Sequence, residues 1–202
     1  MTFLPGAAGL GSFWAPMVER LPATWHVRPF DLPGLGTVAP DPAVSSYGDL
    51  VEYLSRKITE PTVLVGQSMG GFVALQLALR HPHLVTHLAL FVVTGGVNMA
   101  NHGAFDWRQD YMATHPQAQP WACAPVPDLI EDVGAIAIPT LLVWATRDVL
   151  SPLSVAHALA AKIRNASLVT FDSDDHWMAR THADDTAAVL REFINLRRRR
   201  RG

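Results

Sequence analysis

The chain has 202 residues, of which 49% are hydrophobic and 17% charged, and carries a formal net charge of −2. That length suits one domain with a sizeable core, and the near-neutral balance exerts no global pull toward nucleic acid or an acidic membrane surface. The only cysteine, Cys123, excludes an intrachain disulfide and a cysteine cluster for a metal, and no apolar run is long enough to span a bilayer.

In chain order, Thr2-Phe3-Leu4 reads as a short strand that runs into a glycine loop, and Ser12 to Leu21 has helical character. The opening MTFLPGAAGLG lacks a basic start and a long apolar centre, so no secretory leader is predicted and a cytoplasmic location is expected. Trp25 to Phe30 is a second strand. Ser46 to Ile58 places Leu50, Leu54 and Ile58 on one helical face. Thr62 to Val65 is a third strand, and Phe72 to Arg80 a helix that His81-Pro82 stops. Leu88 to Val93 is a fourth strand.

The segment from Gly95 to Ile138 has no convincing strand and holds Trp107, Tyr111, Trp121 and the run HPQAQPWACAPVP. An insertion of that length is usually functional or disordered, and it is read as a short lid with one helix around Ala104 to Thr114, the alternative being a structural flap that completes the core. Thr140 to Trp144 is a fifth strand, and Ser151-Pro152 opens a helix with a cap residue and a proline at the first position. Ser167 to Phe171 is a sixth strand and Asp184 to Leu196 the last helix. The arginines from Arg197 to Arg201 suit the negative end of that helix, and 197–202 is read as a solvated basic tail.

Nearly all-apolar strands separated by helices imply a parallel sheet covered on both faces. Right-handed crossovers then make one three-layer α/β domain over residues 1–202, with six mostly parallel strands and 95–138 as the lid insertion. Such sheets carry their sites at the carboxyl ends of the strands.

Gly66-Gln67-Ser68-Met69-Gly70 matches G-x-S-x-G, in which a serine stands on a sharp strand-to-helix turn. Residues two before and two after the serine approach so closely that a Cβ would clash, and glycine removes the clash. A chain of this size matches the pattern by chance about 5–10% of the time, so its position between a buried strand and a helix matters. A serine hydroxyl also needs a base. His176 follows the sixth strand and Asp148 the fifth, on the same sheet edge as Ser68 and in the order Ser, Asp, His. His182 is a competing base, and Asp172, Asp174 and Asp175 are competing acids. An acyl-transfer site further needs oxyanion donors. The N–H of Met69 and one from the loop Leu4-Pro5-Gly6-Ala7-Ala8-Gly9, with Ala7 favoured, meet that need.

LPGAAGLGSFWAPMVERLP, FDLPGLG, VLVGQSMGG, PTLLVWATRDVLSP and DSDDHW together resemble the α/β-hydrolase superfamily, in particular its small, short-lid serine esterases of the pimeloyl-acyl-carrier-protein methyl ester carboxylesterase-like group. The resemblance covers nearly the whole chain. It implies Ser68 as nucleophile, His176 as base, Asp148 as its orienter, Met69 and Ala7 as oxyanion-hole residues, and no metal or organic cofactor. The chain departs from the family in four ways: Pro5-Gly6 stands where His-Gly is usual, Ala145 stands where glycine is frequent, the two strands that usually lead the sheet are missing, and the lid is shorter than in many relatives. The expected activity is hydrolysis of a small-molecule carboxylic ester through an acyl-enzyme. Thioesterase, acyltransferase, perhydrolase, lactonase and carbon–carbon hydrolase activities share such a serine, and a ligand-binding protein with little turnover is the alternative of another class. Trp14, Trp107, Tyr111, Met112, Trp121 and Trp177 are candidates for an apolar substrate pocket. Oligomeric state is not legible.

Overall fold

A computed structural model describes residues 1–199. Six strands form one sheet in the order β2-β1-β3-β4-β5-β6, and every neighbouring pair is parallel. They are β1 (Thr2–Leu4), β2 (Arg28–Pro29), β3 (Thr62–Gln67), β4 (Val85–Phe91), β5 (Thr140–Ala145) and β6 (Ala166–Phe171). The helices are α1 (Ala15–Val18), α2 (Tyr47–Lys57), α3 (Met69–Arg80), α4 (Arg108–Thr114), α5 (Leu153–Lys162), α6 (Met178–Thr181) and α7 (Ala183–Arg199). Right-handed crossovers put α2, α3 and α5 on one face and α1 on the other, where α6 and α7 pack against it.

The central strands are apolar because both faces are covered: β5 is buried along its whole length, as is β3 from Leu64 onward. Helix α3 is buried from Met69 to Ala78, as a helix wedged against the sheet and against α2 must be. Helix α2 is two-faced, burying Tyr47, Leu50, Val51 and Leu54. The Ser46 side chain caps it by accepting from the Asp49 N–H at 3.1 Å. Ala183, Ala187, Leu190 and Ile194 repeat at helical spacing on the buried side of α7.

Several expected boundaries move for physical reasons. β2 shrinks from Trp25–Phe30 to two residues, because it lies at the sheet edge and its one partner, β1, is only three residues long. Ser12–Leu21 divides into a 3₁₀ turn over Gly11–Trp14 and the short α1. Helix α5 begins at Leu153 with Pro152 as its cap residue, so Ser151 does not cap it. The Ser151 hydroxyl donates instead to the Val93 carbonyl at 2.5 Å. In segment 95–138 the helix is limited to Arg108–Thr114, and the Asp106 side chain takes the Arg108 N–H just before it. Short 3₁₀ turns at Met99–His102, Pro120–Cys123 and Val133–Ala135 carry much of the remainder. Helix α7 extends through Arg199 into the expected basic tail, and the rest of that tail, residues 200–202, lies outside the described residues.

Candidate active site

Strand β1 lies between β2 and β3, so chain order reverses there and the loops after β1 and β3 diverge. Their carboxyl ends frame the crevice that such a reversal opens. Ser68 follows β3 at φ 54°, ψ −124°, a conformation that costs free energy for any residue with a Cβ. The glycines around it are sterically required. A Cβ on Gly66 would lie 2.6 Å from the Gly70 carbonyl oxygen, and one on Gly70 would lie 2.2 Å from the Pro5 carbonyl oxygen. The turn therefore sets α3 hard against the β1 loop and lifts the serine side chain above the sheet.

Ser68 Oγ lies 2.9 Å from His176 Nε2, and His176 Nδ1 lies 2.6 Å from Asp148 Oδ2. The other oxygen of Asp148 accepts the N–H groups of Leu150 at 2.8 Å and Ser151 at 3.1 Å. All three side chains are buried. An acceptor-only carboxylate at Nδ1 keeps the proton there and leaves the Nε2 lone pair facing the serine hydroxyl. Three of the four competitors are engaged elsewhere. His182 faces Asp175 at 3.8 Å, and Asp172 pairs with Arg147.

Met69 is the first residue of α3, so its N–H has no preceding turn to bond and sits at the positive end of the helix. Gly6 brings the β1 loop against Ser68: a Cβ there would meet Ser68 Cβ at 3.2 Å. Ala7, next in the chain, lines the same cavity as Ser68 and His176.

Polar contacts of four side chains that sequence reasoning missed knit the site together. Gln67 Nε2 donates to the His176 carbonyl at 3.1 Å, tying the turn to the histidine loop. Thr94 Oγ1 lies 3.1 Å from Ser68 Oγ. The Ser151–Val93 bond anchors the aspartate loop beside Thr94. The Tyr111 hydroxyl donates to the Ala7 carbonyl at 2.7 Å and accepts from the Gly36 N–H at 2.8 Å. Burial pushes the Tyr111 phenol above its ordinary pKa, against a smaller opposing effect of the Gly36 N–H, so it remains a donor at neutral pH. Val92, just before this region, has φ 41°, and Ser68 and Val92 are the only described non-glycine residues with positive φ. Gln67 lies inside the motif and Thr94 just past a strand end, which were the available signals.

A cavity of about 370 Å³ opens over Ser68 and His176, with Ala7, Trp107, Tyr111 and Trp177 in its wall. Trp177 is 56% exposed and stands edge-on to His176. Trp14 and Trp121 lie outside this wall. Trp14 is fully buried, edge-to-face with Phe3, Phe13 and Phe91, and Trp121 packs on Tyr47. Met112 packs against the core and is absent from the cavity wall. Aromatics that large serve the core before they serve a ligand. Among the described residues no group of three His, Cys, Asp or Glu side chains is placed to hold a metal ion, and no helix is long and apolar enough to cross a membrane.

Residues 3–115 match the profile of the alpha/beta hydrolase family, and residues 105–195 match one described as TAP-like protein. The pimeloyl-[acyl-carrier protein] methyl ester esterase of Neisseria meningitidis serogroup C is 28% identical, over 88% of this chain and 86% of its own length. A putative carbamate hydrolase of Caulobacter sp. is also 28% identical, over 94% of this chain and 88% of its own. Among solved structures, a hydrolase from Pseudomonas aeruginosa PA01 superposes with a TM-score of 0.80 at 18% identity, covering 96% of this chain and 88% of that one.

Proposed function

The chain belongs to the alpha/beta hydrolase family, and we propose that within it the protein is a serine hydrolase that cleaves carboxylic esters. The observation that carries this reading is the continuous chain of contacts from Ser68 Oγ through His176 to Asp148, at 2.9 and 2.6 Å. His176 Nε2 removes the Ser68 proton as Oγ attacks the ester carbonyl. Asp148 holds the imidazole in the required tautomer and stabilises its cationic form. The N–H groups of Met69 and Ala7 receive the oxyanion. Collapse of the tetrahedral adduct expels the alcohol, which takes the proton from His176. A water molecule, deprotonated by the same nitrogen, then hydrolyses the acyl-enzyme and regenerates Ser68.

Segment 95–138 acts as a lid in this reading, since Phe105, Trp107 and Tyr111 overhang the cavity that holds Ser68. The names of similar proteins from Neisseria and Aromatoleum, methyl ester esterases, support an ester substrate, and those from Serratia and Caulobacter, putative carbamate hydrolases, make a carbamate the second reading. The test is turnover of a p-nitrophenyl ester by the wild type and by Ser68→Ala. Replacement is expected to lower kcat by roughly 10⁶-fold, because triad members act as a unit. Equal turnover by the two proteins would overturn the assignment. A wild type that binds esters tightly yet resists a fluorophosphonate probe would point to a receptor-like protein.

A further inference from the structure

Thr94 is buried and touches the reacting atom, with its Oγ1 3.1 Å from Ser68 Oγ. The direction of that bond follows from the protons present. Ser68 has one hydroxyl proton, which faces His176 Nε2 at 2.9 Å, because His176 Nδ1 keeps its own proton toward Asp148. Thr94 is therefore the donor and Ser68 Oγ the acceptor. The chain bends at a cost to put this hydroxyl there. β4 ends at Phe91, and the next residue, Val92, has φ 41°, an unfavourable conformation for a β-branched side chain. The Val92 N–H still bonds the Val143 carbonyl at 3.0 Å, so the bend begins inside the sheet. The Val93 carbonyl takes the Ser151 hydroxyl, and the Val93 side chain fills the space over Gly71, where an added Cβ would lie 2.6 Å from Val93 Cγ2. Gly95 and Gly96, at φ 111° and 79°, then carry the chain away.

A donor on Oγ does not serve the two halves of ester hydrolysis equally. In the free enzyme Oγ is a hydroxyl oxygen and accepts well. In the acyl-enzyme it is the alkoxy oxygen of an ester, whose lone pair is shared with the carbonyl, and it accepts poorly. Deacylation begins when water bonds the acyl carbon and gives a proton to His176 Nε2. The bond from that carbon to Oγ then breaks. Its electron pair stays on Oγ, the proton moves from His176 Nε2 to Oγ, and the carboxylic acid leaves. Thr94 keeps its own proton throughout and donates to Oγ as negative charge gathers there. An interaction speeds a step only by as much as it strengthens between the preceding ground state and the transition state. That gain is large from the acyl-enzyme and smaller from the free enzyme, where the bond is already made. Resting on the serine-hydrolase reading, we infer that Thr94 is a further catalytic residue, whose hydroxyl assists the departure of Ser68 Oγ and so speeds deacylation more than acylation.

The two steps separate with p-nitrophenyl acetate. With enzyme in excess, release of p-nitrophenol reports acylation, and loss of acetyl-Ser68 in acid-quenched samples, followed by mass spectrometry, reports deacylation. Thr94→Val keeps the volume and removes the hydroxyl. Thr94→Ala removes it without a second β-branch beside the strained bend, and Thr94→Ser keeps it. In the valine and alanine variants deacylation is expected to slow about tenfold, the scale of one hydrogen bond, with acylation slowed less than about threefold. Thr94→Ser is expected to restore deacylation. Equal slowing of both steps would make Thr94 a packing residue and overturn the inference, as would unchanged deacylation. Either result, with acetyl-Ser68 forming in the wild type, defeats only this inference. A wild type that forms no acetyl-Ser68 defeats the serine-hydrolase reading beneath it.

Discussion

At the scale of single residues, the site depends on groups that are costly to place. Asp148 is a buried carboxylate whose oxygens are committed to His176, Leu150 and Ser151. That satisfaction allows a charge to remain inside. Asp148→Asn is expected to retain the fold and lower kcat by roughly 10⁴-fold, because an amide at that position favours the wrong imidazole tautomer. Circular dichroism alongside ester turnover checks both halves, and near-normal turnover would mean that another acid serves His176. Gly70 is constrained by space. Its missing Cβ would overlap the carbonyls of Leu4 and Pro5, at 2.5 and 2.2 Å, and backbone on both sides cannot give way cheaply. Gly70→Ala is expected to destabilise the protein by several kcal/mol, on the order of 3, as severe overpacking does. A melting temperature within a degree of wild type would contradict the close approach. Gly66-x-Ser68-x-Gly70 was legible in the sequence because this steric demand has few solutions. Thr94 and Gln67 were not legible as partners of Ser68 and His176, because hydrogen bonds across 26 and 109 residues of chain leave no local pattern.

At the scale of elements, helix α4 is short and sits in the least regular part of the chain, yet it touches the chemistry. The Tyr111 hydroxyl bridges the Ala7 carbonyl and the Gly36 N–H, so one side chain of segment 95–138 holds two loops of the sheet edge in register. Ala7 is the proposed oxyanion donor, and the set of its backbone depends on that bridge. Tyr111→Phe keeps the ring contacts to Trp107 and His115 and removes only the hydroxyl. It is expected to lower kcat by about 10- to 100-fold with little change in KM, a fraction of the effect of deleting an oxyanion donor outright. A rise in KM with kcat unchanged would make Tyr111 a pocket residue and nothing more. Periodicity marked the helix but not this bridge, since Tyr111 reads equally well as a core residue. The same limit explains β2 and α5. Trp25–Phe30 has the composition of a strand, but at the sheet edge its one partner, β1, is three residues long. Ser151 has the composition of a cap, but its hydroxyl goes to the Val93 carbonyl.

At the scale of the whole molecule, one apolar cluster joins the sheet, both helical layers and segment 95–138, through Tyr111, Ala118, Trp121, Ala122 and Leu129. Trp121 stacks edge-on to Tyr47, and the Tyr47 hydroxyl donates to the Ala122 carbonyl at 2.5 Å. The segment over the cavity is thus anchored at its far end and meets the site at its near end. Trp121→Ala is expected to cost about 3–5 kcal/mol of stability, the usual range for a buried tryptophan, while leaving the contacts among Ser68, His176 and Asp148 in place. Urea unfolding measured beside fluorophosphonate labelling separates these effects. Lost labelling in a protein that still folds would show that the anchor governs the site directly.

The sequence by itself determined the α/β alternation, the strained turn at Ser68 and the chain order of Ser68, Asp148 and His176. Each of these is encoded locally, by apolar periodicity, by glycines at a close approach, or by position just past a strand. Tertiary structure alone decided which aromatics reach the cavity, sending Trp14 and Trp121 to the core and Trp107, Tyr111 and Trp177 to the wall. It also decided which of several carboxylates meets His176. The physical reason is the same in each case. Burial and cavity shape depend on how distant segments pack, and neither composition nor spacing along the chain carries that distance.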